Sequence, residues 1–168
     1  MRSTQDNTVF PKDGISSEAE VGQGATIADS AVVFPGAVVG IGCILEDEVI
    51  VMEGAVIGDY TTVRRDTVFK KGSNVGHHCV IGEGCTFGKR SIVRDLVEIG
   101  DLVHVKSRAR VYHDVEIGSG AQISKHAIVN HGADIGPGVH VHKKEVVPVN
   151  LPIRLIKGRR WPAAPKLD

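Results

Sequence analysis

Every sixth residue from Ile15 to Val147 is aliphatic or Phe, without gap or slip. The series begins Ile15, Val21, Ile27, Val33, Val39, Leu45 and ends Ile135, Val141, Val147. A lone helix repeats its apolar face every three to four residues and a half-buried strand every two. A strict period of six over so long a stretch fits neither, and marks a repeat solenoid. The other hexad positions agree. With the aliphatic residue at position one, position five from residue 19 to residue 139 holds only Ala, Cys, Ser, Thr or Val. Position two is often Gly (Gly22, Gly40, Gly58, Gly76) and position four is Gly in several more (Gly24, Gly36, Gly54, Gly84). Glycine supplies the positive φ of a tight turn, and the β-branched residues beside it suit a short strand. Each hexad therefore predicts one short strand and one sharp turn, with positions one and five pointing inward.

The repeat divides the chain into three parts. Residues 1–14 form a polar N-terminal segment, a cap or a frayed end. Residues 15–147 form the solenoid. Residues 148–168 form a basic tail with four prolines and the only Trp, lying outside the period. A solenoid leaves strand edges open at its ends and must cover them. Leu151, Ile153, Leu155, Ile156 and Trp161 are the expected cap; a basic arm that touches a neighbour is the other reading.

Aliphatic, Gly, two free residues, a small residue and another free one: this hexad resembles that of the hexapeptide-repeat (left-handed β-helix) superfamily. The resemblance covers residues 15–147. It implies an all-β fold, a left-handed parallel β-helix, with three hexads to a lap. That makes a triangular solenoid of nearly eight coils, roughly 35 Å long at about 4.8 Å per coil, with an irregular C-terminal tail. It also implies a parallel homotrimer. Three hexads per lap would stack residues eighteen apart, so the outward residues sort into corners. One corner is a basic stripe: Lys70, Lys71, Lys89, Arg90, Lys106, Arg108, Lys125, His126, Lys143 and Lys144. The next holds His77, Asp95, His113 and His131, with Arg94, Tyr112, Asp114 and Asn130 beside them. The third is partly acidic, with Asp29, Glu46, Asp47, Glu48, Glu83 and Asp101.

Two chemistries compete for the histidine corner. Tyr112-His113-Asp114-Val115-Glu116-Ile117-Gly118 resembles the His-Asp-x-x-Ile/Val-Gly run of hexapeptide acyltransferases. The segment 127–136 resembles the corresponding part of sugar N-acetyltransferases, although His131 is followed by Gly132 where those carry a carboxylate. The resemblance implies a His as general base, acting on an amine or hydroxyl that attacks a coenzyme A or carrier-protein thioester. His113 and His131 are then the candidate bases and Asp95 the carboxylate that orients one of them. Lys89, Arg90, Lys106, Arg108 and Lys125 would meet the coenzyme A phosphates; the bland alternative pairs the stripe with a neighbour's acidic corner. The second chemistry comes from a partial resemblance of His126-Ala-Ile-Val-Asn-His131-Gly132 to the γ-class carbonic anhydrases. It implies zinc held by His113, His131 and a neighbouring subunit's His126. The insertion that follows the first His of that family, and its upstream Arg and Gln elements, have no counterpart here. A third alternative is a non-enzymatic or designed trimeric scaffold, because no loop interrupts the prism.

Composition narrows the partners. Net charge is zero and aromatic residues are 4%, so the whole chain points to no nucleic acid and no membrane. No signal peptide or membrane span is visible. Cys43, Cys79 and Cys85 all occupy position five and read as core filler. Their odd number favours a reducing, cytoplasmic setting. A small-molecule substrate is the expected ligand.

Overall fold

The computed structural model describes residues 14–156 and 159–161. Most of the N-terminal segment and the last part of the tail, with the cap expected of residues 1–14, lie outside the described residues. Twenty-two two-residue strands, from Glu20–Val21 to Val146–Val147, recur every six residues with no helix among the described residues. With two tail strands, Pro152–Ile156 and Arg159–Trp161, they assemble into three sheets of eight, nine and seven strands, parallel in every pair but the last, a β-solenoid of about seven turns. Each strand pairs with the strand eighteen residues away: Val75 with Val93, Ile81 with Ile99, Phe87 with Val105. The eight-stranded sheet carries Val39, Val93 and Val129, the nine-stranded sheet Leu45, Ile99 and Ile135, and the seven-stranded sheet Val51, Phe87 and Val141.

The pleat explains the two inward positions. Successive strand residues face opposite sides, so the outward residue of each pair alternates with the aliphatic inward one. Every position-one residue from Val33 to Val147 is buried, and so is every position-five residue from Ala31 to Val139. The large side chain fills the prism and the small one lets the turn close beside it. Phe69 and Phe87 stack face to face in adjacent coils, centroids 4.7 Å apart. Position five also accepts a polar group when it can donate to a turn carbonyl fifteen residues ahead. Thr61 donates to Gly76 O at 2.9 Å, and the Cys79 thiol to Arg94 O at 3.1 Å. Ser73 and Ser91 have no such partner. At the first coil the pattern runs out of cover: Ile15 and Val21 are exposed.

The residue at hexad position four is left-handed in every hexad from Gly36 to Asn150. Glycine supplies it at Gly24, Gly36 and Gly54, but Tyr60, Leu96 and Leu102 adopt it too, with φ of 54°, 59° and 57°. A second demand for glycine is space: a Cβ on Gly118 would stand 2.5 Å from Pro137 N in the coil above.

The tail departs from the hexad. Pro152–Ile156 still pairs in parallel with the Asp134–Ile135 strand, then turns back to pair antiparallel with Arg159–Trp161. Ile153 is buried and Leu151 packs on the core. The side chains of Leu155, Ile156 and Trp161 lie outside the described residues. Just below the hairpin, Glu145 replaces the small residue at position five, and its Oε2 accepts from His142 N at 2.7 Å.

Removing an unpartnered buried hydroxyl is stabilising because its desolvation is uncompensated. Ser73→Ala and Ser91→Ala should each raise the unfolding free energy by about 1 kcal/mol, read as a higher urea midpoint at unchanged slope. Leu102→Asn, whose short polar side chain is tolerated in the left-handed region, should add a similar amount, about 1 kcal/mol.

Candidate functional site

The corner between the eight- and nine-stranded sheets brings together residues that chain order keeps eighteen apart. Position three of successive turns there is Ile41, Asp59, His77, Asp95, His113 and His131. These side chains form a ladder. Asp59 Oδ1 accepts from Ile41 N at 2.8 Å, His77 Nδ1 from Asp59 N at 2.9 Å, and Asp95 Oδ1 from His77 N at 2.9 Å. Each acceptor satisfies a turn amide one coil below that no strand could reach. The sequence signalled this only as a polar column; the capping role needed the coordinates. Glycine at position two keeps the ladder close, since a Cβ on Gly76 would run into the Asp95 carboxylate.

His77 and His113 differ in what their rings do. The His77 Nδ1 lone pair is taken by the Asp59 amide, which places the neutral ring's proton on Nε2. Asp59 Oδ2 also lies 3.3 Å from that Nδ1. The amide bond decides the neutral form, because a protonated Nδ1 could not accept it. His113 Nδ1 instead lies 3.5 Å from Asp95 Oδ2. A carboxylate at this distance attracts a proton to Nδ1, and a neutral ring so protonated keeps the Nε2 lone pair free. Both side chains are a little over one-third exposed. His131 stacks on His113 with centroids 5.4 Å apart and rings 12° from parallel, and tilts against Tyr112 at 5.2 Å. The three candidates His113, His131 and Asp95 are thus adjacent.

His126 lies elsewhere. It occupies the basic corner, at the opposite edge of the eight-stranded sheet from His131. Within one chain it does not join His113 and His131, and no group of three His, Cys, Asp or Glu among the described residues could hold a metal. The fit that zinc requires is not met inside the chain.

The basic corner is an open groove of about 980 Å³, lined by Lys71, Lys89, Arg90, Arg108, Lys125 and His126. Lys71 pairs with Glu53. Among the described residues Lys89, Arg90, Lys106, Arg108 and Lys125 have no ion pair. Stacked like charges repel, so these residues need a counter-charge. The corner's arginines line a second hollow with Ile92, Arg110 and Ile128 on the face of the eight-stranded sheet, which runs from the basic corner towards the histidine corner. The third corner carries Asp29, Asp47, Glu83 and Asp101, with Arg65 bridging Glu83 at 3.8 Å.

The cysteines are inert. Burial raises the Cys43 thiol pKa and pushes those of Cys79 and Cys85 up to about 11. All three are free. Ser124 Oγ and His140 Nε2 form a 2.7 Å contact that the sequence did not suggest.

No protein-family model matches the sequence, and no curated protein matches it. Solved structures do. A hexapeptide transferase family protein from Anaplasma phagocytophilum aligns at TM-score 0.55 and 16% identity, over 80% of this chain and 72% of its own. The Moraxella catarrhalis UDP-N-acetylglucosamine O-acyltransferase aligns at TM-score 0.51 and 18% identity, over 80% of this chain and 66% of its own. The Francisella novicida UDP-N-acetylglucosamine acyltransferase follows at 0.49 and 17%, over 87% and 68%. At these identities the likeness shows the fold alone, a parallel β-solenoid.

Thiols held near pKa 11 are almost wholly protonated at pH 8, where a free cysteine is partly thiolate. Iodoacetamide at pH 8 should leave Cys79 and Cys85 unmodified in the folded protein and label both in 6 M guanidinium; mass spectrometry reads the difference.

Proposed function

We propose that this protein is an acyltransferase of the hexapeptide-repeat type, moving an acyl group from a coenzyme A thioester to an amine or hydroxyl. The observation that carries the reading is the Asp95–His113 pair, stacked under His131 at a half-exposed corner. The shared fold with solved hexapeptide transferases supports it.

Asp95 keeps the Nδ1 proton of His113 in place, and Nε2 takes a proton from the acceptor as the acceptor attacks the thioester carbon. The new bond to carbon forms, the carbon–sulfur bond breaks, and the thiolate leaves. His131 shields one face of the His113 ring from water. Lys89, Arg90, Lys106, Arg108 and Lys125 hold the phosphates of coenzyme A. Its flexible arm crosses the eight-stranded sheet over Ile92 and Ile128 to the histidine corner. One side of a hexad spans at most about 20 Å, so such an arm can bridge the two corners of one chain. Assembly as a parallel homotrimer and a cytoplasmic location belong to the same reading; free thiols support the second. No helix among the described residues is long and apolar enough to cross a membrane.

Thiol release from acetyl- and longer acyl-coenzyme A, with a panel of amino sugars, tests the reading. Turnover should be seen, and His113→Asn should lower kcat/KM by at least about 100-fold, as loss of a general base does. Lys89→Ala and Arg108→Ala should raise the KM for the thioester several-fold at nearly constant kcat. Absence of turnover and of coenzyme A binding with every donor would remove the proposal.

A further inference from the structure

The three corners differ in how they treat one backbone group. The amide at hexad position three lies in the turn, outside the strand pairing. On two corners a side chain of the next coil caps it in successive laps. Ile41, Asp59 and His77 donate to the side chains of Asp59, His77 and Asp95 on the histidine corner. Glu83 and Asp101 donate to those of Asp101 and Ser119 on the acidic corner. On the basic corner the corresponding residues are Glu53, Lys71, Lys89, Ser107, Lys125 and Lys143. None of their amides finds an acceptor among the described residues. Pro35 stands lower in the same column, and Pro137 stands at position three of the acidic corner. Proline has no N–H to give, so the fold itself needs no hydrogen bond at this position.

The cations run beside these uncapped amides. Lys71 and Lys143 are four laps of eighteen residues apart, a height of about 19 Å. Among the described residues Lys89, Arg90, Lys106, Arg108, Lys125 and Lys144 have no ion pair. The carboxylates of the groove, Glu18 and Glu53, stand at its lower end, and Lys71 takes that of Glu53. Above them every charged side chain of the groove is a donor. Such a column suits a ligand that only accepts hydrogen bonds, as phosphate oxygens do. Sugar hydroxyls also donate, and would find no carboxylate there. The groove is lined by no Phe, Tyr or Trp, so a nucleic-acid strand would lack a ring on which to stack its bases. Donors repeated lap after lap fit a repeating ligand better than a compact one.

We propose that the basic corner binds an unbranched chain of phosphates, an inorganic polyphosphate, laid along the axis of the prism. The Lys and Arg side chains neutralise its charge. The uncapped amides of Lys89, Ser107 and Lys125 donate to its oxygens, as turn amides do in other phosphate sites. The chain of phosphates covers the whole ladder, where coenzyme A would bring its phosphates to one part of it. Polyphosphate and thioester therefore exclude each other wherever both are present. The inference goes beyond the acyltransferase reading and does not rest on it.

Calorimetric titration with inorganic polyphosphate, tripolyphosphate, a polyuronate and oligothymidylate tests this without turnover. Polyphosphate should bind, with an affinity that climbs with chain length until the chain spans the ladder. Tripolyphosphate should bind at least about tenfold more weakly, because it releases fewer counterions. The slope of log K against log salt should be about −3 to −4, at about 0.7 for each of roughly five neutralised charges. Lys89→Ser/Arg108→Ser should reduce its magnitude by about 1.4. Ser107→Pro deletes one amide without changing the charge, at a turn position where Pro35 and Pro137 show that proline is accepted. It should weaken binding several-fold at the native salt slope, the loss of one charge-assisted hydrogen bond. Ser107→Ala, which keeps the amide, should bind as the native protein does. Unchanged melting curves verify the fold of each variant. No binding of polyphosphate, or equal affinity for tripolyphosphate, the polyuronate or oligothymidylate, would overturn the ligand assignment. Native affinity in Ser107→Pro would overturn the part given to the amides. Polyphosphate binding without thiol release from any thioester removes the acyltransferase reading and leaves this one standing.

Discussion

The parallel pairing of each residue with the one eighteen positions on is the constraint from which the rest follows. It places every inward aliphatic residue directly above another, as Val75 beneath Val93 and above Ile57. It also forces every turn to repeat at the same place on the prism. A coil that inserted or lost one residue would turn its aliphatic residue outward, because side chains alternate along a strand. The core is therefore a single apolar column, and almost all of its stabilisation is burial of Val, Ile, Leu, Phe and Ala. The fold tolerates little else inside; the hydrogen-bonded Thr61 and Thr67, the two serines without partners and the buried Glu145 near the upper end are departures.

The same register writes chemistry on the corners. Groups that titrate or carry charge line up at coil spacing whether or not that is favourable. On the histidine corner the alignment is useful, because each side chain reaches the amide of the turn below. Asp59, His77 and Asp95 are structural in that sense, as acceptors for backbone N–H groups. Asp95 serves twice, with one oxygen on the His77 amide and the other towards His113. On the basic corner the alignment leaves positive charge without a counter-charge, and a ligand or neighbour has to supply it. The strained turns at Tyr60, Leu96 and Leu102 belong to the same argument: a repeat that could have used glycine carries a large apolar group outward.

Much of this was legible from residue order. The unbroken six-residue series foretold a strand and a turn in each hexad and which residues face the core. The position-five cysteines were readable as core, and burial holds their thiols protonated. The basic stripe and the histidine column appeared once residues were sorted by eighteen, a lap that came from family resemblance rather than from the period itself. What escaped was what one coil does to the next. Nothing in a polar column distinguishes His77, whose ring caps an amide, from His113, whose ring faces a carboxylate. The Ser124–His140 contact and the hairpin after Pro152 were likewise invisible.

By itself the sequence determined inside and outside, because alternation along a strand and the need for glycine in a tight turn are local properties of the backbone. It determined which residue types lie eighteen apart, and so which could become neighbours. Only the tertiary structure decided that they do, since closing a lap is a long-range event set by how three sheets meet around one core. It separated His126 from His131 by putting a whole sheet between them, although five residues part them in the chain. It joined Asp95 to His113 across eighteen, because hydrogen bonds between coils, not proximity in sequence, set the distances at a corner.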